Sequence, residues 1–320
     1  MRFSGPAIET EGLTRLFGDH RAVDHLDLRI EAGDGFALLG PNGAGKTTTI
    51  RMLTTLLAPS EGVARVCGFD TRLEPREVRR RIGYVMQQTE LSNSLMTGRE
   101  KMELEAALYH VPWRRCRDRA EELLDLVGLL PHADRQIREY SGGMKKRLDL
   151  ACGLVHRPGV LILDEPSLGL DVQSRHHMWD YISRLRAEGV TILLATNYLD
   201  EADRLCNRLT IIDHGRAVVT GSPAELKRAV GADVVQIEAG NMETLAEAIA
   251  GAQWVQRSIV TESDGLHVYV DDAAEALPEL MRLSLDRGVE LRKITYSRPT
   301  LDDIFLLHTG KELRELEVPA

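Results

Sequence analysis

Short apolar runs alternate with helical periodicity over the first two thirds of the chain. The runs are rich in β-branched residues and predict strands at Leu26–Ile30, Gly35–Leu39, Ile82–Val85, Val160–Leu163, Thr191–Ala195 and Leu209–Ile212. The periodic stretches predict helices at Lys46–Leu57, Gly98–His110, Arg114–Val127, Gly142–Val155, Gln173–Glu188 and Leu199–Leu205. Apolar strands separated by helices are typical of an α/β domain with a largely parallel sheet. Between Gln88 and Val155 the pattern is mainly helical, so we expect a helical subdomain at about residues 88–155.

A different pattern follows the turn-forming segment Thr220-Gly-Ser-Pro-Ala224, which we interpret as a domain boundary. The sequence after it predicts the order β-α-β-β-α-β, with elements at Val234–Glu238, Met242–Ala250, Trp254–Val260, Leu266–Val270, Ala273–Asp286 and Val289–Ile294. This order is typical of a ferredoxin-like α+β domain. A further helix is predicted at Thr300–His308. We therefore expect one domain at residues 1–222 and a small accessory domain at residues 223–320.

Composition narrows the class of protein. The 320 residues include 49 acidic and 40 basic side chains, for a formal net charge of −9. This balance argues against a nucleic-acid partner, because such proteins usually carry a basic excess. The four cysteines form no CxxC or Cys/His pattern, so neither a disulfide framework nor a zinc site is indicated. No apolar run approaches the ~18 residues that a membrane-spanning helix needs. We expect a cytosolic protein that depends on another chain for any membrane spans.

The segment Gly40–Thr47 matches the phosphate-binding pattern G-x-x-x-x-G-K-[ST], and it lies between a predicted strand and a predicted helix. Glycines let backbone N–H groups face phosphate oxygens, and the helix N-terminus favours negative charge. In this pattern Lys46 reaches the β- and γ-phosphates, and the Thr47 hydroxyl ligates Mg²⁺. We expect the nucleotide to be bound by Gly40, Asn42, Gly43, Ala44, Gly45, Lys46, Thr47 and Thr48. The sequence thus predicts a site for ATP and Mg²⁺.

The apolar run Val160–Leu163 ends in two carboxylates, Asp164 and Glu165. Asp164 lies where the tip of a strand can hold a magnesium ion. Glu165 follows on the opposite side of the pleat and could polarise an attacking water. Alone, such a pair could be no more than a polar exit from a strand, but its combination with the phosphate-binding pattern favours catalysis.

Two more segments are candidates for the same site. Gln87 follows the strand Ile82–Met86, and its neighbour Gln88 is an alternative for the same role. The residues Ser141, Gly142, Gly143 and Met144 precede an apolar helix. Alone, Ser-Gly-Gly could cap any helix. As an anion site it offers a hydroxyl, flexible N–H donors and a helix N-terminus that could converge on a phosphate.

These elements, in this order, resemble the nucleotide-binding subunit of ABC transporters over roughly Ile8 to Pro223. A Ser-Gly-Gly element just before the Asp-Glu strand separates ABC proteins from other phosphate-loop enzymes. The resemblance implies that Phe17 stacks on adenine, that Gln87 takes part in catalysis and in the magnesium shell, and that Asp171 belongs to a loop coupling two sites. It also implies that about residues 88–111 receive a helix from a separate transmembrane permease.

Asn197 departs from the family pattern, since most members have histidine at this place. An asparagine can donate a hydrogen bond to a γ-phosphate oxygen, but it cannot carry charge or relay a proton. Daunorubicin-resistance-type exporters often have an amide here. The segment Arg298–Phe305 also resembles the end of the C-terminal extension of those exporters. Its apolar residues Leu301, Ile304 and Phe305 could pack on the ATPase domain, on a second subunit or only within their own domain.

The resemblance implies a composite ATP site. Gly40–Thr47 of one copy would bind ATP, and Ser141–Met144 of a second copy would close over the γ-phosphate. ATP would hold together a homodimer, or a heterodimer with a related ATPase. We expect an ATPase subunit, with Glu165, Lys46, Gln87 and Asn197 as its catalytic set, that powers export of a drug-like or lipophilic substrate at the cytoplasmic face of the membrane. Two alternatives stay open: a soluble ABC protein acting on ribosomes or DNA, and a degenerate scaffold that only binds ATP.

Overall fold

The computed structural model describes residues 5–87, 95–260 and 265–309. The chain divides between Thr220 and Gly221 into two compact units. The first seven residues of the predicted permease-contacting region 88–111 lie outside the described residues. Gln88, the alternative to Gln87, is among them.

The first unit is built from strands and helices that alternate along the chain. Its elements are β1 (Pro6–Phe17), β2 (His20–Glu31), β3 (Gly35–Leu39), α1 (Lys46–Leu53), β4 (Glu61–Val66), β5 (Phe69–Asp70), α2 (Pro75–Arg79), β6 (Ile82–Val85), α3 (Gly98–Leu108), α4 (Trp113–Leu126), α5 (Gly142–Gly153), β7 (Val160–Asp164), α6 (Val172–Ala187), β8 (Thr191–Thr196), α7 (Leu199–Leu205), β9 (Arg208–Asp213) and β10 (Arg216–Gly221). Two short 3-10 helices, Leu130–His132 and Ile137–Glu139, precede α5.

The central sheet has the strand order β10-β9-β3-β8-β7-β6. The five strands from β9 to β6 run parallel, and β3, β7 and β8 are buried along their whole length. Because the strands are parallel, their carboxyl ends meet at one edge of the sheet, where parallel α/β folds place their ligands. The predicted α/β class is confirmed, and the residues directly after β3, β6, β7 and β8 are brought together.

A second sheet of this unit was largely missed by the sequence prediction. It is antiparallel, in the order β2-β1-β4-β5, and the prediction contained only the Leu26–Ile30 part of β2. The register of β1 shifts between Thr10 and Leu13, around Gly12 at φ 57°. Such a bulge interrupts the alternation of buried and exposed side chains from which a strand is recognised.

The predicted helix Lys46–Leu57 is too long. Helix α1 ends at Leu53, because Thr55 takes a left-handed backbone conformation with φ 65°. The Thr54 hydroxyl donates to the Ile50 carbonyl at 2.9 Å and closes the last turn. The described part of the predicted helical subdomain contains α3, α4 and α5, and α3 begins with a capping box between Thr97 and Glu100.

The second unit has the predicted ferredoxin-like order. Its elements are α8 (Pro223–Val230), β11 (Asp233–Ala239), α9 (Met242–Ile249), β12 (Val255–Val260), β13 (Leu266–Val270), α10 (Ala273–Asp286), β14 (Leu291–Ser297) and α11 (Leu301–Thr309). The sheet has the order β12-β13-β11-β14, and each neighbouring pair is antiparallel. Apolar side chains of the sheet, among them Val235, Ile237 and Val268, form a core with Leu245 of α9 and Leu280 of α10. The fold class predicted for this part is confirmed.

Helix α11 packs within this second unit, which was one of the alternatives for Leu301, Ile304 and Phe305. All three side chains are buried, and α11 contacts α8. The Tyr269 hydroxyl on β13 donates to the Asp303 carbonyl at 3.4 Å, so the helix also lies against the sheet. Within the described ranges, no helix combines the length and apolar character needed to cross a membrane.

Candidate active site

The loop after β3 is tightly folded against the rest of the first unit. Gly45 has φ 105°, and a Cβ atom there would lie 2.5 Å from the Ala22 carbonyl oxygen. A Cβ atom on Gly40 would lie 2.3 Å from the Ile212 carbonyl oxygen. Only glycine fits at these two positions. Asn42 and Gly43 are exposed, and α1 begins at Lys46, so free N–H groups of the first helical turn lie at the end of the loop.

The Lys46 ammonium is buried under this loop, with the residue 5% exposed. It donates to the Gly40 carbonyl at 2.6 Å and the Pro41 carbonyl at 3.1 Å. Its Nζ also lies 3.8 Å from Oε1 of Glu165. Burial lowers the pKa of Lys46, while the charges of Glu165 and Asp164 oppose that shift. The cation therefore links the loop after β3 to the acidic end of β7.

Asp164 and Thr47 meet across the sheet edge. The Thr47 hydroxyl donates to Oδ1 of Asp164 at 3.2 Å, and Asp164 is fully buried. The other carboxylate oxygen, Oδ2, is buried and accepts no hydrogen bond from any described residue. Burial raises the pKa of Asp164. A carboxylate oxygen without a donor, next to a hydroxyl, is the oxygen donor set that Mg²⁺ prefers. The residues present therefore fit a divalent cation.

Glu165 lies between the Lys46 ammonium and the side-chain amide of Gln87. Its Oε2 accepts a hydrogen bond from Nε2 of Gln87 at 2.8 Å, and its residue is 4% exposed. The backbone of Glu165 is left-handed, with φ 49°, and is held there by a bond from its N–H to the Ala195 carbonyl at 2.8 Å. Such a conformation costs about 1–3 kcal/mol for a non-glycine residue, and strain of this kind clusters at functional sites. The turn directs the carboxylate toward Lys46 and Gln87 rather than along the strand.

Asn197 follows β8 at the same edge of the sheet. It comes directly after Thr196, which pairs with Leu39 at the end of β3. The residue is buried, and its Oδ1 accepts no hydrogen bond from the residues that the structure describes. The fold thus brings Asn197 to the same edge as Gly40, although no bond joins Asn197 to the loop within the described part of the chain.

Ser141 and its neighbours form a separate, exposed cluster. The Ser141 hydroxyl accepts from the Met144 N–H at 3.3 Å and caps α5. Asp171 caps α6 through bonds of 2.8 Å from the N–H and the hydroxyl of Ser174. A Cβ atom on Gly143 would lie 2.9 Å from the Ser174 hydroxyl, so the two helix starts are neighbours. Among the described residues, no hydrogen bond or ion pair joins Ser141–Met144 to Gly40–Thr47.

Phe17 lies at the end of β1 and is 47% exposed. Its ring contacts only one charged group in the described chain, the Arg15 guanidinium, whose Cζ is 4.7 Å from the ring centroid. Because about half of the ring is exposed, it contributes less apolar burial to the folded state, and it is available to stack on a flat ligand. Its predicted contact with adenine stays a prediction.

The sequence prediction missed Lys146 on α5. This lysine is buried, and it contacts the backbone at Gln87. A signal was present, because Lys146 shares one face of α5 with the buried residues Leu150 and Gly153, at a spacing of four and seven. A lysine on a buried helix face has to bond to a fixed acceptor.

Comparison with known proteins agrees with this geometry. Residues 23–168 match the family model described as ABC transporter, and residues 221–309 match the one described as ATP-binding protein DrrA1-3-like, C-terminal domain. The chain is 43% identical to the daunorubicin/doxorubicin resistance ATP-binding protein DrrA of Streptomyces peucetius, over 95% of this chain and 92% of that protein. It is 39% identical to the Nod factor export ATP-binding protein I of Sinorhizobium fredii, over 98% and 88%.

Solved structures extend the likeness to the fold. The structure of cbiO1 from Clostridium perfringens, described as part of an ABC transporter complex, superposes with a TM-score of 0.65 at 25% identity, covering 78% of this chain and 96% of that one. The chain therefore belongs to the ABC transporter family of ATP-binding proteins. It is an ATPase, and it is the ATP-binding subunit of an exporter. The soluble and degenerate alternatives find no support among these relatives.

Proposed function

We propose that this subunit binds ATP with Mg²⁺ at the loop Gly40–Thr47 and hydrolyses it only when a second copy closes the site. The observation that carries the proposal is an asymmetry within one chain. Lys46, Asp164 and Glu165 are buried together: Lys46 is paired with Glu165, and Asp164 accepts a hydrogen bond from Thr47. Ser141 is exposed, and within the described ranges its hydroxyl bonds to the start of its own helix. A second chain is the simplest source of a surface that brings such an exposed helix start onto a phosphate.

The buried group supplies the chemistry of hydrolysis. Thr47 and Asp164 would hold the magnesium ion, which neutralises charge on the phosphates. Lys46 exchanges its bonds to the Gly40 and Pro41 carbonyls for phosphate oxygens, and so stabilises the charge that develops in the transition state. Glu165 orients the attacking water and accepts its proton. The amide of Gln87 holds the Glu165 carboxylate in place for that role.

The partner copy would contribute the exposed helix start. The Ser141 hydroxyl and the free N–H groups of Gly142 and Gly143 are donors that can turn to a γ-phosphate. Asp171 lies beside them through Ser174, so contact between two copies can reach both clusters at once. Asn197 is a further donor for the γ-phosphate. The pair is a homodimer, or a heterodimer with a related ATPase.

A groove in the first unit is suited to a helix from the membrane permease. A cavity of about 350 Å³ is lined by Leu56, Tyr84, Lys101, Glu105 and Tyr109. Lys101, Glu105 and Tyr109 lie on or just after α3, within the region 88–111 that the family resemblance assigns to this contact. The mixture of aromatic and charged groups suits an amphipathic helix. We infer that the permease docks here, on the cytoplasmic face of the membrane.

The names of the relatives bear on the cargo. The Streptomyces peucetius relative is named for daunorubicin and doxorubicin resistance, and the Sinorhizobium fredii relative for Nod factor export. One name refers to drug resistance and the other to export. We propose a drug-like or lipophilic cargo for this system, recognised by the permease.

The variant Glu165→Gln tests this function. We expect hydrolysis to fall at least roughly 100-fold, because removal of a general base typically costs 10²–10⁴, while ATP binding persists. ATP and Mg²⁺ should then trap a dimer that light scattering detects. The matched control is Glu188→Gln, an exposed residue after α6, which should hydrolyse ATP like the unmodified chain. A Glu165→Gln protein that stays monomeric with saturating ATP and Mg²⁺ would contradict the composite site.

A further inference from the structure

Lys146 is a buried cation that bonds to main-chain carbonyls. It lies on α5 and is 7% exposed. Its Nζ donates to the Gln87 carbonyl, and the Met86 carbonyl lies 3.5 Å away. Both acceptors are main-chain atoms just after β6. Burying an ammonium is costly unless fixed acceptors replace water, so the bond ties α5 to the end of β6.

The same residue that accepts from Lys146 also contacts the proposed general base. The main chain of Gln87 takes the Lys146 bond, and the side-chain amide of Gln87 donates to Glu165 at 2.8 Å. Two consecutive hydrogen bonds therefore connect α5 to the carboxylate. Because a residue fixed at its backbone holds its side chain within few rotamers, a shift of Lys146 would displace the amide.

Helix α5 also starts at the exposed cluster. Ser141 caps it, and the Lys145 N–H donates to the Ser141 carbonyl at 3.0 Å. Lys146 thus lies only just over one helical turn from the residues that would meet the partner's nucleotide. A helix transmits displacement along its axis as a rigid element.

We infer that Lys146 is a positioning residue that couples the helix start Ser141–Met144 to Gln87, and through it to Glu165. Engagement of α5 by a second copy would then adjust the carboxylate in the same chain, so that each site responds to the closing of the other. This inference rests on the proposed function, because it takes Glu165 and Gln87 to act in hydrolysis. Burial lowers the pKa of Lys146, and the charges of carboxylates that include Asp149, Asp164 and Glu165 oppose that shift.

Arg147 provides a matched control on the same helix. Its guanidinium donates to the Val127 carbonyl at the end of α4, at 3.0 Å. Arg147→Met and Lys146→Met each remove one cation that bonds to a main-chain carbonyl. Only Lys146 contacts the residue that bonds to Glu165. A purely structural role would make the two variants behave alike.

The experiment measures hydrolysis and ATP affinity of Lys146→Met, Arg147→Met and Lys146→Arg, below their melting temperatures. We expect Lys146→Met to lower kcat roughly ten- to hundredfold, as a small misplacement of a catalytic group does, with Kd for ATP changed less than about twofold. Lys146→Arg keeps a donor cation and should recover most of the rate. Arg147→Met should retain the unmodified kcat. Equal kcat losses in both methionine variants would overturn the inference.

A double variant separates this inference from the proposed function. In a Gln87→Ala background, Lys146→Met should cause no further loss of kcat, because the path to Glu165 is already broken. Multiplying losses would show that Lys146 acts elsewhere and would overturn the inference. If Glu165→Gln and Gln87→Ala leave hydrolysis unchanged, the proposed function itself fails. If they reduce it and Lys146→Met does not, only the positioning role fails.

Discussion

Two regions of the first unit differ in how complete they are. The group of Lys46, Thr47, Asp164 and Glu165 is assembled within one chain, at the edge of the parallel sheet. The cluster of Ser141 and Asp171 is exposed, and in the part of the chain that the structure describes its side chains bond to the starts of α5 and α6. Both regions contain groups suited to binding an anion, but the charged groups of the first region are buried away from water, and the groups of the second are exposed.

The difference concerns the free-energy cost of removing charged groups from water. Desolvating a cation and two carboxylates is expensive, and here the fold of a single chain bears that cost. The donors of the exposed cluster stay hydrated, so they are available to bind a ligand or a second chain. Under the proposed function, hydrolysis would await the second surface, as expected of a switch driven by a ligand that favours the closed state. Three predictions test this contrast.

The largest effect is expected from mixing two inactive variants. Lys46→Ala removes the buried cation, and Ser141→Arg blocks the exposed cluster, so each protein alone should lose hydrolysis. In a mixed dimer both defects fall on one composite site and leave the other intact. An equal mixture should therefore regain activity, up to roughly a quarter of the unmodified rate if the sites are independent, since half the dimers are mixed.

Phosphate release by the two variants, alone and after mixing, measures this effect. If the mixture stays as inactive as its components, the two regions do not serve the same site. A control mixture of Lys46→Ala with unmodified protein shows whether one intact site in a dimer can turn over at all.

A smaller effect is expected at Phe17, which is exposed like the Ser141 cluster but belongs to the nucleotide-binding half. Phe17→Ala should weaken ATP binding roughly tenfold, because stacking a base on an aromatic ring contributes about 1–3 kcal/mol. Phe17→Tyr should retain affinity. Since the ring is half exposed, the free energy of unfolding should change by less than about 0.5 kcal/mol. Calorimetric titration and thermal melts check both parts; a lower melting temperature with unchanged affinity would assign the ring to the core.

The smallest effect is expected at Asp164, whose ionised carboxylate is buried at a cost to the stability of the folded protein. Burial raises the pKa of Asp164, so the unfolded chain ionises first as pH rises above the ordinary value of 3.8. The folded state binds more protons in that window and loses stability until its own pKa is passed. Asp164→Asn removes the charge and should melt higher than the unmodified nucleotide-free protein at neutral pH, by a few degrees at about 2–4 °C per kcal/mol.

The pH profile gives the control for this prediction. Well below pH 3.8 the carboxyl is neutral in both the folded and the unfolded state, so the two proteins should melt alike there. Asp164→Asn should also lose the added stability that ATP with Mg²⁺ gives the unmodified protein. A variant that melts lower at neutral pH would show that Asp164 is stabilised, rather than strained, in its ionised form.

Local features were readable from the sequence because their contacts are local. The loop Gly40–Thr47 is defined by glycine conformation and by a helix start, all within eight residues. The buried strands β3, β7 and β8 showed as unbroken apolar runs. The β-α-β-β-α-β order of the second unit was visible for the same reason. In contrast, β1 escaped recognition because the bulge at Gly12 shifts its alternation.

Sequence alone thus determined the class of protein and predicted the residue types of the candidate site, because phosphate binding by a loop depends on chemistry carried within one short segment. Only the tertiary structure decided which distant groups touch. Asp164 meets Thr47 across 117 residues, Gln87 meets Glu165 across 78, and Lys146 reaches Gln87 across 59. These contacts follow from the order of parallel strands and from the packing of α5, and no local pattern encodes the distance between two elements.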